Sequence, residues 1–236
     1  MTGEKVFITF GGGGQNYIDA GHRIIEQALS LNIFDNTIFY TDKALQNDIN
    51  FWSRHKYFIE SNPRGYGYWL WKPYIIHKTM EMLNDGDIIL YLDCGCELDI
   101  KRKHYFAELF EIVTRDMILG TYTAIEKGWN KMDLLLHLDM YNSKYINTYQ
   151  HQAGALMFLV CPQTRFIVKS WYDIGCDYHM IDDSPSIAPN VSEFIEHRHD
   201  QAIFSLLTKK CNIFSKRELR HAIEYERNKT GVSKLK

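Results

Sequence analysis

The run Asp87-Ile88-Ile89-Leu90-Tyr91-Leu92-Asp93-Cys94-Gly95-Cys96-Glu97 decides the fold. Its apolar core, Ile88–Leu92, follows the turn Asn84-Asp85-Gly86-Asp87 and shows no polar face. A strand with one wet side alternates polar and apolar residues. An unbroken run instead suits a central parallel strand with helices packed on both of its faces. The run stops at Asp93, which sets a carboxylate at the carboxyl edge of the sheet, where open α/β sheets bind their ligands.

The pattern on either side agrees. Upstream, Lys5–Phe10 reads as a first strand, and Tyr17–Leu31 as a helix with Ile24, Ala28 and Leu31 on one face. Thr37–Thr41 is a second strand and Tyr57–Ile59 a short third. Pro73–Leu83 is a helix, with Pro73 suited to its first turn and Ile76, Met80 and Leu83 sharing a face. Downstream, the segments 103–114 and 131–140 are helical, Met117–Tyr122 is extended and Ala155–Cys161 is a strand. Helices over 163–178 and Asp200–Lys209 precede a charged, amphipathic tail. This alternation predicts a doubly wound α/β sheet in a single domain. The longest irregular segment, Ile181–Phe194, is a candidate active-site loop.

Composition narrows the function. The 236 residues are 45 % hydrophobic and 14 % aromatic, enough for a substantial core, which excludes a disordered or fibrous chain. The net charge of −2 lacks the basic excess of a protein that holds bare nucleic acid. The five cysteines form no CxxC pair, and their odd number points to reduced thiols. The N-terminus has no signal-peptide pattern, and no apolar run approaches the roughly 20 residues that span a bilayer. A cytoplasmic protein without an integral membrane segment is expected.

Five segments carry chemistry. Gly11–Gly14 follows the first strand, where glycines let backbone amides approach phosphate, but neither GxGxxG nor GK[ST] is present. Thr9 and Phe10 end that first strand, and Asp42 closes the second. Arg64-Gly65-Tyr66-Gly67-Tyr68-Trp69-Leu70-Trp71-Lys72-Pro73 joins aromatic faces that stack a base or sugar to Arg64 and Lys72, which neutralise phosphate. Along Asp93–Glu97, strand alternation puts Asp93, Gly95 and Glu97 on one side if the chain stays extended. Oxygen ligands of that kind suit Mg²⁺ or Mn²⁺. His197-Arg198-His199-Asp200-Gln201 precedes the last helix, with Asp200 either a helix cap or a site carboxylate. Tyr149-Gln150-His151-Gln152-Ala153-Gly154-Ala155 opens a late strand with small residues that permit close approach.

Taken in order, GYGYWLWKP, YLDCGCEL, HQAG and HRHDQAIFSLL resemble segments of nucleotide-sugar-dependent glycosyltransferases of the GT-A fold, in a small bacterial and large-DNA-virus group. The likeness spans roughly residues 5–210. It implies a Rossmann-like, mixed and mostly parallel sheet flanked by helices. The nucleotide-binding half would cover about 1–122, the acceptor half about 123–215, and a tail 216–236. It further implies a nucleoside-diphosphate sugar as donor, a glycan or other hydroxyl acceptor, and Mn²⁺ or Mg²⁺ bridging the diphosphate. On this resemblance Asp93 is the first acid of the metal motif. Gly95 stands where the second acid is usual, and Glu97 or a histidine from His197–His199, with His199 put first, would complete the ion's ligands. Thr9, Phe10, Asp42, Arg64, Trp71 and Lys72 would hold the donor. Asp200, with Asp182 and Asp183 behind it, would be the catalytic carboxylate of an inverting enzyme, and Gln152 or Asp200 would stabilise the donor's β-face in a retaining one. The alternative is a GT-A-like module that binds a nucleotide sugar or glycan without turnover.

Overall fold

Along the chain come β1 (Lys5–Gly11), α1 (Gln15–Leu31), β2 (Asn36–Thr41), α2 (Asp42–Asn47), α3 (Ile49–Ser61), α4 (Gly65–Tyr68), α5 (Trp71–Glu81), β3 (Ile88–Leu92) and β4 (Glu97–Leu98). They are followed by α6 (Tyr105–Asp116), β5 (Ile118–Gly120), β6 (Tyr122–Ile125), α7 (Met132–His137), α8 (Ser143–Ile146), β7 (Tyr149–His151) and β8 (Ala155–Leu159). The last elements are α9 (Pro162–Gly175), α10 (His199–Cys211), β9 (Phe214–Lys216) and β10 (Ile223–Glu224). The computed structural model describes residues 3–216, 219–225 and 227–235; residues 217, 218, 226 and 236 of the expected tail lie outside these, as do the first two.

The main sheet has six strands in the order β2-β1-β3-β8-β5-β9. β1 pairs in parallel with β2 and with β3, and β5 with β9. β8 runs antiparallel to both β3 and β5. The sheet is therefore mixed and mostly parallel, with β8 the one reversed strand of the six. β3 lies in its interior with all five residues buried. Side-chain alternation along β3 divides two apolar layers. Ile89 and Tyr91 pack with Ile76, Trp171 and Phe204 from α5, α9 and α10, while Ile88, Leu90 and Leu92 pack with Ile24, Leu31 and Phe106 from α1 and α6. Each such side chain, fully buried, contributes roughly 1.5–3 kcal/mol. The strand therefore lacks a polar face because both of its faces are core.

Tyr57–Ile59, expected as a strand, lies within α3. There Phe51, His55 and Ile59, four residues apart, form the buried face, while Tyr57 is exposed. The 181–194 segment has no regular strand and only the end of a 3₁₀ turn nearby, yet it is tied down. Asp133 in the first turn of α7 accepts the Ile187 and Ala188 amides at 2.6 and 2.9 Å, and Lys131 pairs with Asp182 at 2.8 Å. The tail adds β10, which pairs antiparallel with β4. All five cysteines are free of disulfides. Among the described residues no helix is long and apolar enough to cross a membrane.

Candidate active site

β1 and β3 end side by side, and their carboxyl ends open onto a cavity of about 400 Å³. That volume falls within the range of small-molecule sites. Phe10, Gly12 and Gly13 line it from β1, and Asp93, Cys94 and Gly95 from β3. Gln152 and Gly154 reach it because β8 is reversed, so its amino end lies at the same edge. A Cβ at position 154 would come within 2.9 Å of the Asp93 carboxylate. What approaches this glycine closely is thus the protein's own acid.

An ion triad forms the floor. The Lys72 ammonium lies 2.9 Å from Asp200 Oδ2 and 3.5 Å from Asp93 Oδ1; Lys72 and Asp200 are almost fully buried, whereas Asp93 is partly open to the cavity. Burial disfavours the Lys72 charge, but Asp200 and Asp93 outweigh it and hold the pKa above its ordinary value. Burial drives Asp200 up to about 6, with Lys72 opposing and Asp93 adding to the rise. Asp93 also accepts from the buried Tyr91 hydroxyl at 2.5 Å. The start of α10 is fixed from behind, since the Trp171 indole N–H donates to the Asp200 carbonyl at 2.7 Å.

The opposite wall is made by the glycine- and aromatic-rich segment. Gly65, Tyr66, Gly67, Tyr68 and Trp69 all have positive φ, a left-handed turn that α4 resembles only in its hydrogen bonds. Such a conformation costs residues with a Cβ roughly 1–2 kcal/mol each. Strain of this kind concentrates at functional sites. The turn exposes Tyr66 and Trp69 to the cavity, and the Trp71 ring stacks on Phe10 at 3.8 Å while donating to the Gly65 carbonyl. Gly67 combines φ +81° with Ile59 at 2.8 Å from any added Cβ. Gly67→Ala is accordingly expected to destabilise the fold by about 1–3 kcal/mol, read as a lowered midpoint in urea. An unchanged midpoint would show that the turn relaxes freely.

His199, also at positive φ, stacks on Trp69 and lies tilted against Tyr68. Its Nδ1–H donates to the Ile181 carbonyl, and burial lowers its pKa to about 4, so the ring is neutral. Nε2 is then a buried acceptor with no hydrogen-bond partner, 3.7 Å from Asp183. His197 is satisfied on both nitrogens, by the Lys131 amide and the Met180 carbonyl. Arg64 is held by Asp183 and Glu196 at 3.0 and 3.2 Å. Arg198 lies over the Trp129 ring at 3.9 Å.

Eight of the residues expected from sequence meet at this cavity: Phe10, Arg64, Trp71, Lys72, Asp93, Gln152, His199 and Asp200. Three do not line it. The Thr9 hydroxyl is buried and donates to the Leu92 carbonyl at 2.7 Å, tying β1 to β3. Asp42 turns to the amides of Gly13 and Lys43 and so braces the glycine loop from behind. Glu97 is the larger correction. The Cys96 amide bonds back to the Asp93 carbonyl, so the chain turns after Asp93 and the alternation that placed Glu97 beside it fails. The Glu97 carboxylate is consumed by Gln27, Asn228, Ser233 and the Lys234 amide. The Asp93–Glu97–His199 donor set for Mn²⁺ or Mg²⁺ therefore does not assemble, and the Lys72 ammonium lies between the two carboxylates of the floor. Among the described residues no group of three His, Cys, Asp or Glu is placed to hold a metal ion. Arg227 and Lys229, from the charged, amphipathic tail, also line the cavity.

Fold and cavity together define an α/β protein with a mixed, mostly parallel sheet and a pocket of aromatic and charged side chains at its carboxyl edge. Neither a family model nor a curated protein matches the sequence. Among solved structures it is similar to mouse xyloside xylosyltransferase 1, at 11 % identity and TM-score 0.48 over 92 % of this chain and 86 % of that one. A glycosyltransferase involved in glycosylation of the major capsid of PBCV-1 matches at 11 % identity and TM-score 0.49, over 91 % and 81 %. The galactosyltransferase LgtC, in complex with donor and acceptor sugar analogues, matches at 13 % and 0.49, over 91 % and 74 %. Likeness at this distance assigns neither substrate nor activity.

Proposed function

We propose that the chain is a glycosyltransferase that moves a sugar from a nucleoside diphosphate to a glycan or other hydroxyl acceptor. The observation that carries this reading is the buried Lys72–Asp200 pair, joined by Asp93, at the floor of a cavity with aromatic and cationic walls. Arg64, Lys72, Arg198, Arg227 and Lys229 line it against Asp93, Glu196 and Asp200, so the excess charge favours an anion. Tyr66 and Trp69 offer ring faces for a base or sugar. His199 Nε2, an acceptor without a partner, fits a donated sugar hydroxyl.

In the reaction the bond between the anomeric carbon and the diphosphate oxygen breaks, and its electron pair leaves with the nucleotide. The acceptor oxygen forms the new bond to the anomeric carbon and gives up its proton. Asp200, at a pKa of about 6, is mostly ionised at neutral pH yet basic enough to take that proton. The neighbouring cations meet the charge that grows on the leaving diphosphate. No step is assigned to a metal ion, because the donor set for one does not come together.

The test is a panel of UDP-, GDP- and TDP-sugars, each with EDTA and with Mn²⁺, scored for release of nucleoside diphosphate and for melting shift. Release from at least one donor is expected, and anomer analysis of the product by NMR then checks the base: inversion supports it, retention removes it. A melting shift with no release under any acceptor would support the binding module instead. Silence in both readouts across the panel would overturn the reading.

A further inference from the structure

The segment 227–235 falls in what reads as a charged, amphipathic tail, and it is anchored inside the protein. Fully buried Glu97 accepts from Asn228 Nδ2 at 2.7 Å, Ser233 Oγ at 2.5 Å and the Lys234 amide at 3.0 Å, and Gln27 completes the set. Arg23 of α1, 4 % exposed, donates to the Asn228 and Thr230 carbonyls on this segment at 3.0 and 2.6 Å. The same guanidinium donates to the Cys94 and Cys96 carbonyls of the loop after β3, at 2.8 and 2.9 Å. One buried cation and one buried anion thus strap the segment to the loop that carries Asp93. Burial alone would raise the Glu97 pKa, but its hydrogen bonds hold it down at about 2, so the anchor stays charged.

The strap crosses Gly95, the position where the GT-A motif has its second acid. The Asn228 amide donates to the Gly95 carbonyl at 2.9 Å, and a Cβ on Gly95 would already touch Arg227 Cα at 3.4 Å. The strap thus packs directly on Gly95, at ordinary van der Waals distance from where a side chain would begin. What the crossing delivers is Arg227 and Lys229, on the cavity wall. Neither makes an ion pair among the described residues; Lys229 Nζ lies 5.3 Å over the Tyr17 ring. Arg198 across the cavity has its pKa lowered by burial and by the like charges of Arg227 and Arg64, against the pull of Glu196. Arg64 and Arg198 are paired with Asp183 and Glu196, whereas Arg227 and Lys229 bring positive charge with no ion-pair partner among the described residues, and an entering polyanion would supply one.

We propose that Arg227 and Lys229 form a strap-borne diphosphate clamp that supplies, from the chain itself, the charge neutralisation a divalent ion would otherwise give. The identity of the diphosphate rests on the donor reading above; the clamp does not. Calorimetric titration of the full chain with inorganic pyrophosphate, UDP, GDP and TDP, in EDTA and then in Mn²⁺, tests it. The wild type and the double variant Arg227→Gln/Lys229→Gln are compared; both positions are exposed, so the fold should survive, as a melting curve confirms. The expected result is pyrophosphate binding in EDTA that weakens at least about tenfold in the double variant. Equal binding by both proteins overturns the clamp, and so does wild-type binding seen only with Mn²⁺ or no pyrophosphate binding at all. Clamp-dependent pyrophosphate binding with no nucleotide bound would uphold the clamp and overturn the donor reading. Nucleotides bound equally by both proteins would uphold the donor reading and overturn the clamp.

Discussion

Asp200→Asn is expected to lower turnover about a thousandfold while leaving nucleoside diphosphate binding and cooperative unfolding in place. Asparagine keeps the shape of the side chain, and Lys72 retains Asp93 as its anion. The loss is therefore chemical: an amide cannot take the acceptor's proton. The same role gives the wild type an acid limb. Burial, with Asp93 adding to it, has moved the Asp200 pKa to about 6 despite Lys72, so protonation begins just below neutrality. As pH falls through 6, kcat should drop tenfold per unit, because the protonated acid is no base. The measurement is nucleoside diphosphate release at constant ionic strength from about pH 5 to about pH 8, for both proteins. Asp200→Asn should lose the acid limb along with the rate. A wild-type profile that stays flat below pH 6 would remove Asp200 from the proton transfer.

The sequence made the sheet's centre and one end of its pocket legible for a physical reason. Ile88–Leu92 had to be covered on both faces, and its abrupt end at Asp93 fixed where a ligand would meet polar atoms. The direction of β8 was not legible, because an apolar strand such as Ala155–Leu159 reads alike either way along the sheet. Tyr57–Ile59 misled because three apolar residues show no period, whereas Phe51, His55 and Ile59 at four-residue intervals carry the helical signal. The expected place of Glu97 rests on one assumption, that the chain stays extended after Asp93; a single turn at Cys94–Gly95 takes it away from the cavity to Gln27 and the 228–234 segment. Its real partners, Asn228 and Ser233, lie more than 130 residues along the chain, beyond any local pattern. A faint sign of the strap was available. Asn228, Thr230 and Ser233 punctuate an otherwise charged segment with the side chains that satisfy buried groups.

Lys72→Met should cost more than any surface charge, because it strips a buried carboxylate of its counter-ion. Methionine fills much of the lysine's volume, so packing around the stem changes little. What remains is Asp200 with Asp93 as its nearest charge, and breaking a buried pair from one side costs about 3–5 kcal/mol. The loss carries a pH signature. Removing Lys72 takes away the main influence that lowers the Asp200 pKa, so it climbs further above the value near 6. A carboxyl whose folded pKa lies above its unfolded one is most stabilising when protonated, and that contribution is lost as pH rises through the folded value. The Lys72→Met defect should therefore be mild near pH 5 and grow toward pH 8, read from urea midpoints at each pH. Lys72→Met/Asp200→Asn should recover most of the stability and none of the turnover, since no buried charge remains to be paired. The double-mutant cycle then isolates the pair's coupling. If the double variant is no more stable than Lys72→Met, the lysine acts through packing alone and the ion triad is not what holds the floor of the cavity.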